Sequence, residues 1–263
     1  MSPDYHLIGS YTRYSSWTAR VETVLEYFEI PYTSKMLTFN EIKAHSPSGL
    51  VPMLHSTPLS ITVTDSLAIL EFLADQNPHI PLWPRDPALR ALARSATAEM
   101  HSGFPALRNT FHTNFVARYE GLIPASRSAG AKQEIKRVLR IWDDARRVTV
   151  ERLGAGAVGE YSSAGEDEGF LFGGFSIADA FYWPVLWRFR TYNLPLDDAS
   201  PAVLKWMEKM WNDSKLKQLV HGYYRQAENP ETRIEKYENI FAGEGVQAST
   251  FPEDWVFAAP RAA

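Results

Sequence analysis

The run His45-Ser46-Pro47-Ser48-Gly49-Leu50-Val51-Pro52-Met53-Leu54 decides the fold together with the run that follows it after a turn. That second run is Ile61-Thr62-Val63-Thr64-Asp65-Ser66-Leu67-Ala68-Ile69-Leu70-Glu71-Phe72-Leu73-Ala74-Asp75. Pro47 and Gly49 predict a loop. A short strand begins at Pro52, and a second covers residues 61–63. Asp65-Ser66 then opens a helix whose apolar face is Leu67, Ile69, Leu70 and Leu73. A helix N-terminus presents unpaired backbone N–H groups and a partial positive charge, so it suits a carboxylate. Ser66 adds a hydroxyl donor there, and Asp65 is an acceptor for an ammonium group.

Upstream, residues 5–10 read as a strand centred on Leu7 and Ile8. After a loop over residues 11–14, Ser15-Ser16-Trp17-Thr18-Ala19-Arg20-Val21 opens a helix running to about residue 28. Val21, Val24, Leu25 and Phe28 share one face, and either serine is a candidate N-cap. Residues 31–37 form the next strand. The order is therefore β-α-β, a loop, then β-β-α, a thioredoxin-like layout over residues 1–80 with a right-handed crossover. Residues 76–87 carry Pro78, Pro81, Pro84 and Pro87 and cannot be a helix interior, so they mark a linker.

Residues 88–263 read as all-helical, with no strand pattern. A long helix is expected over residues 88–116, with Leu89, Leu92, Ala93, Ala96 and Met100 on one face and a kink at Gly103 and Pro105. Residues 132–153 form an amphipathic helix through Ile135, Val138, Leu139, Trp142 and Leu153. Residues 154–174 are expected to be an exposed loop. Ser176 and Asp179 have capping-box spacing at the start of another helix. Residues 202–211 and 215–227 are two further helices. Beyond them Ile234, Tyr237 and Phe241 are expected to dock back, with a mobile end.

Composition narrows the function. A formal net charge of −4 over 263 residues gives no nucleic-acid footprint. No apolar run approaches a membrane span, and Met-Ser-Pro-Asp-Tyr is not a secretory leader, so residence in the cytoplasm is the expectation. There is no cysteine, which removes disulfides, thiolate metal sites and any chemistry on a protein thiol. The seven histidines show no His-x-x-x-His spacing, so no metal is expected, and His6, His55 and His112 carry no functional expectation.

Val51-Pro52, Asp65-Ser66-Leu67-Ala68-Ile69 and Phe175-Ser176-Ile177-Ala178-Asp179, in this order and at these separations, resemble the cytosolic glutathione transferases. The run Tyr14-Ser15-Ser16-Trp17-Thr18-Ala19-Arg20-Val21 resembles the serine element of the zeta class, the maleylacetoacetate isomerases, with Trp17 where that class has cysteine. The resemblance implies an α/β thioredoxin-like domain that binds glutathione and an all-helical domain that supplies the second substrate's pocket. It implies a cis proline at Pro52, with Val51 meeting the cysteinyl backbone of glutathione, and Asp65 and Ser66 meeting the γ-glutamyl end. Many relatives have Lys or Gln where Leu50 stands, so Lys43 or His45 is left for the glycyl carboxylate.

Ser15, and after it Ser16, would activate the thiol; the bland alternative is that both only cap the helix. Tyr14, Trp17, Phe104 and Phe111 are candidates for the substrate pocket or for simple packing. His101 is a general base or a polar cleft residue, and Arg108 holds a substrate carboxylate or forms a surface ion pair. Arg20 is expected to pair with an acid that braces the domains. The implied partners are glutathione, a small hydrophobic electrophile and a second copy of the chain. The implied reaction is conjugation, glutathione-assisted cis–trans isomerisation, or both. A transferase-like protein that binds without catalysis is the alternative.

Overall fold

The computed structural model describes residues 3–121, 129–154, 165–238 and 245–259. Its first half is a four-stranded mixed sheet in the order β2-β1-β3-β4. Strand β1 (Tyr5–Ser10) runs parallel to β2 (Tyr32–Leu37) and antiparallel to β3 (Met53–Ser56), which pairs antiparallel with β4 (Ile61–Thr64). Helix α1 (Ser16–Tyr27) follows β1, and α3 (Ser66–Gln76) follows β4. Val21, Val24 and Leu25 of α1 share one core with Ile69, Leu70 and Leu73 of α3 and with Leu7 and Leu54 of the sheet. Between β2 and β3, where a loop was expected, lies helix α2 (Phe39–His45), started by a capping box of Thr38 and Glu41. The Thr-x-x-Glu signal was present in the sequence, but Pro47 and Gly49 drew the loop too far upstream.

The second half is mostly helical. Helix α4 (Pro87–Ser102) is capped by Asp86 and ends at Gly103, and α5 (Pro105–Thr110) follows. Leu89, Ala93, Ala96 and Met100 are buried as expected, but Leu92 is exposed. The predicted long helix does not reach residue 116. Residues 111–116 run irregularly because side chains of helix α7 (Ile177–Thr191) and its C-cap Tyr192 satisfy their carbonyls. Arg188 Nε donates to Phe111 O (2.8 Å), Tyr192 Oη to His112 O (2.7 Å), Thr191 Oγ1 to Asn114 O (3.3 Å) and Arg190 Nη2 to Phe115 O.

Two strands also depart from the all-helical expectation. β5 (Ala117–Gly121) pairs antiparallel with β6 (Val246–Thr250). Ala117 and Tyr119 are buried while Arg118 and Glu120 face out, an alternation too short to read without its distant partner. The tail is docked along residues 245–257, where Phe251 is buried and Trp255 meets Trp211 edge-on. Phe241 lies outside the described residues.

Helix α6 (Ala129–Leu153) buries Ile135, Val138, Leu139 and Trp142. In the expected exposed loop, residues 165–174 instead bury Phe170, Leu171 and Phe172, held by a two-point pairing of Arg146 with Asp167 (2.7 and 2.9 Å). Helices α8 (Pro201–Asn212) and α9 (Ser214–Glu228) follow.

Helix α7 is apolar on all sides and every residue of it is buried. Its N-terminus is organised by Asp179. Oδ2 accepts from the N–H and hydroxyl of Ser176 (both 3.1 Å), and Oδ1 accepts from Leu171 N (2.9 Å) and Trp206 Nε1 (3.0 Å). Burial lifts this carboxyl to about 6, so at neutral pH it is the anion that four donors require. Asp179→Ala would strand buried donors that each cost about 1–3 kcal/mol and would remove the cap. A loss of about 3 kcal/mol or more in urea unfolding is expected.

Candidate functional site

The strand register gathers the chain ends that matter. Ile8 of β1 faces Met53 of β3, and Met53 faces Thr64 of β4. The C-terminal end of β1, the start of β3 and the C-terminal end of β4 therefore share one end of the sheet. The Ser15–Ser16, Val51–Pro52 and Asp65–Ser66 pairs all emerge there, and the Val51–Pro52 bond is cis.

Beside this end is a cleft of about 460 Å³. Of the residues singled out from sequence, Tyr14, Ser15, Ser16, Trp17, Val51 and Arg108 line it, with the exposed Leu50 at its rim. Pro52, Asp65, Ser66 and His101 are not in its lining, and further candidates lie elsewhere. Phe111 is fully buried against Tyr192, and Phe104 is buried as the left-handed N-cap of α5. His45 bonds Lys35 Nζ (3.0 Å) and Glu41 O (3.0 Å), and Lys43 is exposed on α2.

Ser15 caps α1, its Oγ accepting from Thr18 N (3.3 Å) and lying 3.0 Å from Thr18 Oγ1. Thr18 Oγ1 already accepts from Ser10 N (3.1 Å). It can therefore give its proton to Ser15 Oγ, which leaves the Ser15 proton free for a group in the cleft. Thr18 fits against β1 because residue 9 is glycine; a Cβ there would stand 2.2 Å from Thr18 Cγ2. Thr18 is a position that sequence reading passed over, although the third residue after a serine cap is where such a relay belongs.

Tyr14 is not a free donor. Its hydroxyl donates to the Glu238 carboxylate and accepts from Ile234 N (3.3 Å). Burial, and then that carboxylate, push the phenol well above its usual range. Arg13 pairs with Glu238 as well (3.1 Å), so the tail forms one wall of the cleft, with Tyr237 in its lining.

Asp65 sits at φ 76°, a costly conformation of the kind that clusters at functional sites. Its Oδ1 caps α3 through Leu67 N (2.9 Å) and Ala68 N (3.2 Å), and Oδ2 lies 3.3 Å from His101 Nε2 on α4. Ser66 Oγ is buried and has no hydrogen-bond partner.

Trp17 stands among cations. The Arg20 guanidinium lies 4.4 Å from its ring and that of Arg108 5.3 Å, and the His101 ring meets it edge-on at 5.5 Å. Among the described residues Arg20 is in no ion pair with an acid. It is buried, donates from Nε to Phe181 O (3.3 Å) and lies 4.5 Å over the Phe181 ring. Arg188, which composition gave no reason to single out, lines the cleft. Burial, then repulsion from Arg188 and Arg108, lower Arg20 to about 9; burial lowers Arg188 to about 10 and draws Arg108 down too. Among the described residues none of these three arginines is in a salt bridge, although Asp65 acts on Arg20 and Glu134 on Arg108 from a distance; Arg108 and Arg188 line the cleft and Arg20 lies behind Trp17. His112 also lines it and is held below the usual imidazole range by burial and by Arg188. The described residues hold no group of three or more His, Asp or Glu that could bind a metal ion. No helix among them is long and apolar enough to cross a membrane.

With the geometry established, comparison with known proteins identifies the family. Residues 14–76 match the model of the glutathione S-transferase N-terminal domain, and residues 68–209 match that of the C-terminal domain. The chain belongs to the glutathione S-transferase family. It is similar to the probable maleylacetoacetate isomerase of Caenorhabditis elegans, 33% identical over 114 residues, which cover 41% of this chain and 52% of that protein. It is likewise similar to the maleylacetoacetate isomerase of Dictyostelium discoideum, 33% identical over 128 residues, covering 46% and 58%. The matches thus span little more than half the length of these relatives. Among solved structures, yeast Ure2p in complex with glutathione superposes with a TM-score of 0.59 at 18% identity, covering 84% of this chain and 95% of that one.

Because Ser15 is the observed cap, Ser15→Ala is expected to lower stability by about 1 kcal/mol in urea unfolding. Ser16→Ala, one position inside the helix, should change it less.

Proposed function

We propose that this protein binds glutathione, sharpens its thiol, and directs it at a small electrophile that has an apolar body and a carboxylate. The unit spanning residues 1–80 holds the tripeptide, and residues 88–263 form most of the second substrate's pocket. The observation that carries this reading is the convergence of two helix N-termini at one end of the sheet, one capped by Ser15 and the other capped by Asp65 and opened by Ser66. The orphaned, buried Ser66 hydroxyl fits the γ-glutamyl carboxylate, and Asp65 Oδ2, which also faces His101 Nε2 at 3.3 Å, fits the ammonium group beside it. Leu50 offers no charge to the glycyl carboxylate, and neither Lys43 nor His45 lines the cleft, which leaves that end of the ligand without an assigned partner.

A free thiol has a pKa of about 8.5, and each unit of lowering needs about 1.4 kcal/mol of extra thiolate stabilisation. A donated Ser15 proton, backed by Thr18 and the N-terminus of α1, is of the right size to supply one to two units. Ser16 is the second choice. The thiolate then either remains on the carbon it attacks, which is conjugation, or adds to a conjugated double bond, permits rotation and leaves, which is isomerisation. The positive charge of Arg108, Arg188 and Arg20 favours a carboxylate-bearing substrate, and the isomerase relatives keep the second reaction in view. A homodimer in the cytoplasm, the common state of the family, completes the proposal.

Calorimetry is expected to show glutathione binding, weakened about tenfold or more by Ser66→Ala. Absence of binding to the folded wild-type chain would defeat the reading. Thiolate absorbance of the bound tripeptide, followed against pH, should titrate higher in Ser15→Ala and, by a smaller step, in Thr18→Val. Recovery of glutathione in the product would assign conjugation; its absence from the product would assign isomerisation.

A further inference from the structure

A second cavity, of about 520 Å³, lies between β5, the tail that follows β6, the C-terminal half of α7 and α8. It shares no lining residue with the cleft. Its size falls in the range of small-molecule pockets. Its walls are polar and apolar in about equal measure: Leu186, Phe189, Trp211, Phe251 and Trp255 supply the apolar part, and one cation, Arg190, is buried among them.

Arg190 is unusual for what it lacks. Its guanidinium carbon lies 4.3 Å from the Phe115 ring, 4.6 Å from Phe251, 4.7 Å from Trp211 and 5.3 Å from Trp255. One nitrogen donates to Phe115 O and the guanidinium also meets the Tyr224 hydroxyl, while Nε has no partner. Among the described residues no carboxylate pairs with it. Arg118 at the cavity's edge is already matched by Glu120 at 2.6 Å and leaves no anion over. Burial lowers Arg190 to about 10, so it is still charged at neutral pH. Ring faces return only part of what a buried cation loses on leaving water. A ligand anion would supply the rest.

We infer that this cavity is a binding site for a small aromatic monocarboxylate, whose charge pairs with Arg190 and whose ring packs among the aromatic walls. The site belongs to the ribbon and tail and does not depend on the thiol chemistry proposed for the cleft. The two tryptophans in the wall provide the readout.

The test is titration of the full-length protein with 2-naphthoate, followed by tryptophan fluorescence, beside the uncharged isostere 2-naphthamide. Saturable quenching below about 1 mM is expected, with the amide at least about tenfold weaker. Leu196→Trp, which fills the cavity from its wall, should abolish the quench, and Arg190→Gln should weaken it by a similar factor of ten or more. Trp17→Ala, in the cleft, should leave the affinity unchanged. Equal binding of acid and amide, survival of the quench in a folded Leu196→Trp variant, loss in Trp17→Ala, or no saturable quench at all would each overturn the assignment. If Arg190→Gln fails to fold, the amide and Leu196→Trp comparisons still decide.

Discussion

Helix α7 is the post on which both halves of the molecule hang, and its burial sets the terms for everything near it. A helix with no face to water must meet most of its polar needs from within, and α7 leaves Trp183 Nε1, Trp187 Nε1 and Arg190 Nε without a hydrogen-bond partner. At its start Asp179 supplies an anion for four donors, and the N–H of Ile177 reaches back to Leu82 O in the connecting segment (2.9 Å). Along its length Phe181 O receives Arg20 from α1, and the Tyr182 hydroxyl donates to Ala96 O on α4 (2.9 Å). At its end Arg188 and Arg190 serve the carbonyls of residues 111 and 115. Sheet half, helical half and the irregular crossing after α5 are thus tied to one rod.

The cleft inherits its character from that rod. Arg20 and Arg188 are in place because α7 needs or accepts them, and both bring charge to the floor and wall beside Trp17. Their hydrogen-bond and ring partners are carbonyl groups and aromatic faces, which carry no net charge, so neither is directly ion-paired among the described residues. Two cations that serve packing therefore also give the cleft and its surroundings positive charge.

The pieces legible in the sequence were those with local signatures. Val-Pro before a strand, Asp-Ser at a helix start and Ser-x-x-Asp before α7 each fix their own few residues, and each stands where that chemistry puts it. What escaped reading depended on distant parts of the chain. β5 pairs with a strand more than a hundred residues away, so five residues of alternation meant little alone. Residues 111–116 lost their expected helix to side chains of α7 that no local pattern announces. In the site, Ser15 could be read as a cap, but Thr18 behind it required knowing that Gly9 leaves room. Arg20 was expected to find an acid, because a buried charge usually does; it found a carbonyl and two rings.

The wall made by Tyr14, Arg13 and Glu238 joins residues more than two hundred positions apart. During synthesis the amino-terminal sheet leaves the ribosome long before Glu238 does, so it must wait with that edge of the cleft unmade. The nascent chain can shape its first unit early, yet the finished pocket is a late event, sealed only when translation has passed the tail and the polypeptide has folded back upon its own beginning.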